Sequence, residues 1–78
     1  MKFPLFEDVI LLTDVPESNL LAGDVGTVVD EHSVPNMERG YSVEFFDMLG
    51  NTVAVITLPQ SKLRRPTVAD RPMVRLAT

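Results

Sequence analysis

A chain of 78 residues with a formal net charge of −4, a sequence pI near 4.7 and no cysteine has room for one domain, which buries only about 60–65% of its unfolded surface. The missing thiols exclude disulfides, thiolate metal sites and thiol redox chemistry, and an uncrosslinked small domain fits a reducing compartment, so cytoplasm is the expected location. Glu7 and Asp8 close the first apolar residues and break any signal-peptide pattern. No run approaches the roughly 20 apolar residues of a membrane span, so the chain reads as soluble with no membrane partner.

Period-2 apolar segments bounded by turn residues recur along the chain, and no helical stripe competes with them. Asp8 to Thr13 is apolar on both faces, as expected of a strand covered twice. Asp14 to Gly23 is a long loop with Pro16, Ser18 and Asn19 as turn residues, and Leu20-Leu21 is expected in the core. Leu21-Ala22-Gly23-Asp24-Val25-Gly26-Thr27-Val28-Val29 combines a turn with a strand start: Gly23 and Gly26 permit positive φ or close backbone approach, and Asp24 bonds its own turn. The second strand runs from about Val25 to Glu31. A loop from His32 to Gly40 leads to Tyr41-Ser42-Val43-Glu44-Phe45-Phe46, whose Tyr41, Val43 and Phe45 share an inward face. Asp47 to Asn51 is a hairpin connection. Thr52 to Leu58 is again apolar on both faces, with Ile56 expected to be buried beside Val43 and Phe45. Pro59 to Leu63 reads as a single 3-10 turn, and Arg64-Arg65-Pro66 as a short closing strand with its proline at an edge.

These elements make an all-β fold, a small five-stranded SH3-like barrel with a long first loop, a 3-10 turn before the last strand and a C-terminal extension. The barrel occupies residues 1–66 and a basic, apolar extension residues 67–78. A small barrel has one interior, so a strand apolar on both faces leaves Val53 and Val55 pointing outward. Their expected covers are Phe3-Pro4-Leu5-Phe6, the C-terminal Met73-Val74-Arg75-Leu76, a second copy paired through Thr52–Leu58, or another protein.

Charge divides the chain. Up to Ser61, Lys2 and Arg39 face ten acids, a net −8; from Lys62 onward, five cations face Asp70 alone, a net +4. The acidic part suits a basic protein partner, with Asp14, Glu17, Asp30, Glu31 and Glu38 as loop contacts and Val53 and Val55 as apolar anchors. Lys62, Arg64, Arg65, Arg71 and Arg75 form the alternative, a basic patch for nucleic-acid phosphates of the kind KOW-type modules use; the low pI and the absence of interleaved aromatics argue against it.

No residue set promises catalysis. His32 is the lone histidine and has no companion metal ligands, so it is expected on a solvent-exposed loop edge. Glu44 and Asp47 lie close in sequence, but alternation places Glu44 on the outer face. The glycines lack the following helix and lysine of a phosphate loop. The expectation is a non-enzyme with no metal and no cofactor.

The ordered set Leu21 to Val29, Tyr41-Ser42-Val43-Glu44-Phe45-Phe46-Asp47, Gly50, Thr52-Val53-Ala54-Val55, Thr57-Leu58 and Leu63-Arg64 resembles the bacterial domain-of-unknown-function family 4926, over about residues 6–66. The resemblance implies the barrel fold and no activity; some members look like protective partners of toxin-like proteins. The expected function is therefore a non-catalytic, protein-binding barrel, an immunity or antitoxin-like partner or an accessory subunit of a more basic protein, as a monomer or a homodimer.

Overall fold

The computed structural model describes residues 2–76. The alternating segments form β1 (Asp8–Leu11), β2 (Val25–His32), β3 (Gly40–Phe46), β4 (Thr52–Pro59) and β5 (Leu63–Arg64), with short 3-10 turns η1 (Pro16–Ser18) and η2 (Gln60–Lys62). All neighbouring strands are antiparallel, in the order β4-β3-β2-β1-β5.

That order forces the sheet to curl. In a flat sheet β4 and β5 would lie four strand spacings apart, about 19 Å. Only η2 separates them in the chain, and a 3-10 turn of that length advances about 6 Å. The two margins must therefore approach each other, which gives a barrel-like shape. Register shifts between Val28 and Asp30 and between Phe45 and Phe46 supply bulges that add local bend and twist.

The interior is built by alternation. Val28, Tyr41 and Val43 are wholly buried, with Val9, Leu11, Phe45, Leu58 and Leu63 around them. Gly26 sits where its own strand meets Val43 and Phe45: a Cβ there would lie 2.5 Å from Val43 Cγ1 and 2.9 Å from Phe45 Cε1. Here the glycine provides close approach. Gly23 provides the other expected property, a turn residue at φ +97°. Phe3 joins the core from the N-terminal segment, its ring 5.1 Å from that of Tyr41, and its N–H donates to Tyr41 Oη at 3.0 Å. This bond satisfies a hydroxyl that burial would otherwise leave without a partner.

Several expectations are corrected. β1 ends at Leu11, short of Thr13, and the Leu12 N–H to Lys62 O bond is the last in line with its pairing to β5. Leu20 is buried while Leu21 is exposed, since the Leu20–Leu21 step spans the Val15–Leu20 bridge and the Asp24 turn. His32 lies in β2 and not in the following loop. The last strand is Leu63–Arg64 and not Arg64 to Pro66, as proline brings no N–H to the ladder. Ile56 packs against the core only partly buried, because β4 is the sheet margin and has a neighbour on one side alone. Among the described residues neither end segment covers the outer face of β4: Val53 and Val55 stay 49% and 56% exposed. The final two residues of the 67–78 extension lie outside the described residues.

Candidate functional site

η2 is the point at which both long loops meet. Ser61 N–H donates to Glu38 Oε1 at 2.9 Å, and Gln60 N–H to Arg39 O at 2.8 Å, which fixes the β2–β3 loop on one side. On the other side Lys62 O accepts from Leu12 N–H at 2.9 Å, where the β1–β2 loop begins. Between the β2–β3 loop and η2 runs an open groove of about 480 Å³ lined by Lys2, Ser33, Met37, Glu38, Arg39, Gln60 and Ser61. The 70% exposed Met37 is a flexible apolar contact there, of the kind that adapts to varied partners.

The loop acids proposed as contacts divide by the work they already do. Asp14 Oδ1 accepts from Ala22 N–H across the β1–β2 loop and Asp30 Oδ1 from Glu31 N–H within β2, both at 2.8 Å, and both acids are exposed. The Ser61 backbone and hydroxyl hold Glu38 below the usual carboxylate range. Glu31 is half-buried between Lys2, 3.7 Å away, and Arg39, 3.1 Å away. Arg39 lies off the line of its N–H, leaving Glu31 Oε2 without an aligned hydrogen bond. Glu17, on η1, is exposed. Asp14, Glu17 and Asp30 are thus the accessible acids, whereas Glu38 lines the groove and Glu31 is held by the groove residues Lys2 and Arg39.

Asp47 is a turn residue: its carboxylate accepts from Leu49 N–H and Asn51 N–H, both at 2.9 Å, and the Asn51 bond chiefly pulls its pKa down. Glu44 accepts from Thr52 Oγ1 across the hairpin, on the outer face. The two acids therefore hold a strand connection, and their partners are donors of the same hairpin.

The cations of the C-terminal segment are largely engaged by their own chain. Arg64 grips Asp70 with two N–H groups at 2.9 and 2.7 Å, an arrangement that raises the Arg64 pKa and holds the Asp70 carboxyl well below its usual range, with Thr67 N–H assisting. Arg65 donates to Lys2 O, and Arg71 to Val68 O. Arg75 reaches back 51 residues to Asp24 at 2.7 Å, across from the Gly23 turn. The segment docks through these polar contacts while Val68, Met73, Val74 and Leu76 stay largely exposed.

Two arrangements were not legible in the sequence. His32 Nε2, Ser42 Oγ and Thr57 Oγ1 form a row across β2, β3 and β4, at 2.8 and 3.0 Å. A serine within hydrogen-bond reach of a histidine is half of a nucleophilic dyad. The nearby carboxylate, Asp30 Oδ2, approaches the same ring nitrogen at 4.0 Å and so cannot orient the ring from its other side as a triad requires. The row is a cross-strand polar ladder. Phe6 is the second: it is 73% exposed at φ +64°, a costly conformation for an aromatic residue, held by a 2.6 Å bond from its N–H to Val28 O. Phe6 and Pro4 line a second groove of about 470 Å³ with Glu7, Asp8, Arg65 and Pro66.

The model of the family described as Domain of unknown function (DUF4926) matches residues 5–65. The chain belongs to this family. The DUF4926 span takes in every strand, both loops, the polar ladder and all of the η2 groove lining but Lys2, so these are parts of the family domain. Lys2, Phe3, Asp70 and Arg75 fall outside the matched span. No curated protein and no solved structure matches the chain. Among the described residues no helix is long and apolar enough to cross a membrane, and no three histidine or carboxylate side chains gather as metal ligands.

Proposed function

We propose that this protein is a non-catalytic, protein-binding SH3-like barrel of the bacterial cytoplasm, an immunity-like or accessory partner of a more basic protein, which it engages through the loops flanking η2. One asymmetry carries the reading. Of eleven acids in the chain, Asp24, Glu31 and Asp70 have a lysine or arginine partner, and the other eight have none among the described residues. By the same measure four of the seven cations, Lys2, Arg39, Arg64 and Arg75, are ion-paired, which leaves Lys62, Arg65 and Arg71, the last two bound to backbone carbonyls. The field left over is negative, which steers a basic partner and repels phosphates. The same asymmetry weakens the nucleic-acid alternative, since releasing Arg64, Arg65, Arg71 or Arg75 for phosphates requires breaking contacts already made.

The test is capture of partners from host lysate on the tagged protein at low and moderate salt, before and after nuclease treatment, with Glu17→Lys/Asp30→Lys as the comparison. The expected result is a basic protein retained after nuclease, lost at moderate salt and weakened by the double charge reversal through a slower association rate. Bound RNA or DNA that disappears with nuclease, and is lost on replacing Arg64, Arg65, Arg71 and Arg75, overturns the reading.

A further inference from the structure

β4 is a sheet margin without the usual protections. Its residues Thr52–Pro59 include no charged side chain, although the whole chain is nearly one-quarter charged. Natural edge strands are usually blunted by lysine, by inward charges or by a covering segment. Here a bulge at Val53 and the terminal Pro59 interrupt only the two ends, leaving Ala54 to Thr57 as an uncharged run with its outer backbone edge unpaired. Apolar side chains continue the surface beyond the strand. Phe46 is 45% exposed, and Met48 and Leu49 at the hairpin tip are 82% and 87% exposed.

We infer that this edge is the contact between two copies of the chain, which pair β4 to β4 in antiparallel fashion and extend the sheet across a two-fold axis. Charge decides in favour of a second copy over the basic partner proposed above. An uncharged strand offers nothing to select a cation, and two such strands can approach without bringing like charges opposite one another, although each copy carries a net −4. Charge also selects the direction. Antiparallel pairing sets the Asp47 hairpin of one copy beside the η2 end of the other, where Lys62 is the cation without an ion pair or hydrogen bond among the described residues; parallel pairing would set hairpin acids against each other. The exposed Val53, Val55, Met48 and Leu49 supply part of the ~800 Å² per partner of a standard interface, as suits a dimer that forms at high concentration. The dimer contact is centred on Val55 and the partner reading is tested at Glu17 and Asp30, so either reading can fail without the other.

Sedimentation equilibrium of the full chain at about 100 µM tests the inference. The expected result is a dimer. Val55→Lys places like charges at the centre of the interface and is expected to weaken dimerisation at least tenfold, while melting within a few degrees of wild type because Val55 is more than half exposed. The absence of cysteine allows an independent check. In a two-fold pairing one residue faces its own copy, so cysteine placed singly at Ala54, Val55 and Ile56 is expected to give an oxidised dimer at one or more positions, with Glu17→Cys as the negative control. A monomer at that concentration, a dimer indifferent to Val55→Lys, or a larger assembly with no crosslink at the three positions overturns the inference.

Discussion

Replacing Gly26 by alanine isolates the closest backbone approach in the fold. The new methyl would sit 2.5 Å from Val43 Cγ1 and 2.9 Å from Phe45 Cε1, about 1 Å inside normal carbon contact. Neither neighbour can yield easily, since Val43 is wholly buried and Phe45 is 2% exposed. Such overpacking costs about 1–3 kcal/mol. Against this, glycine to alanine in a strand recovers roughly 0.5–1 kcal/mol of backbone entropy, so the net expectation is a loss of about 1–2 kcal/mol. For a domain of this size that lowers the melting temperature by roughly 4–8 °C per kcal/mol. The assay is thermal and urea denaturation of Gly26→Ala, Val43→Ala and the double mutant. Val43→Ala removes the closer of the two conflicting neighbours, so the double mutant should be more stable than the sum of the two single losses, with coupling of about 0.5–3 kcal/mol. Gly26→Ala melting at or above wild type, or strict additivity, would refute the close-approach argument.

Phe45→Ala empties the centre of the same face and is expected to cost about 3–5 kcal/mol, enough to unfold most of a domain whose total stability is of order 5; circular dichroism at 25 °C reads the outcome. Tyr41→Phe keeps the ring but leaves the buried Phe3 N–H without its 3.0 Å acceptor. A loss of about 1–3 kcal/mol is expected, with amide exchange rising first at Phe3. The folded pKa of Asp70 is depressed by the Arg64 guanidinium and by Thr67 N–H, so the ionic contribution to the Thr67–Asp70 turn is present above the ordinary value of 3.8 and is lost as pH falls below it. Thr67 amide protection, followed by NMR from about pH 6 to pH 2, should fall in wild type, whereas Asp70→Asn should be less protected at pH 6 and nearly independent of pH. Matching profiles in the two proteins would show that the ion pair does not hold the turn.

The strands were legible because the pattern that encodes them is local. Alternation put Tyr41, Val43 and Phe45 on one face, and all three are buried. The glycine-aspartate turn before β2 announced both a left-handed Gly23 and a crowded Gly26, since only glycine serves either need. What alternation cannot encode is whether a face has something packed on it. The outward Val53 and Val55 were evident from parity, but their exposure depends on where the chain ends travel. Likewise Phe3 carries no periodic signal and is core because it reaches Tyr41, 38 residues away.

For the candidate site the division is sharper. Sequence determined the sign of each charge and the acidic-to-basic split along the chain. Only the tertiary structure decided which charges remain available, by pairing Arg75 with Asp24, Arg64 with Asp70 and Arg39 with Glu31, and by bonding Glu38 to Ser61 at the η2 groove. Charge is a property of a residue, whereas its availability depends on neighbours brought within hydrogen-bond range by the fold. These neighbours come from anywhere between 6 and 51 positions along the chain.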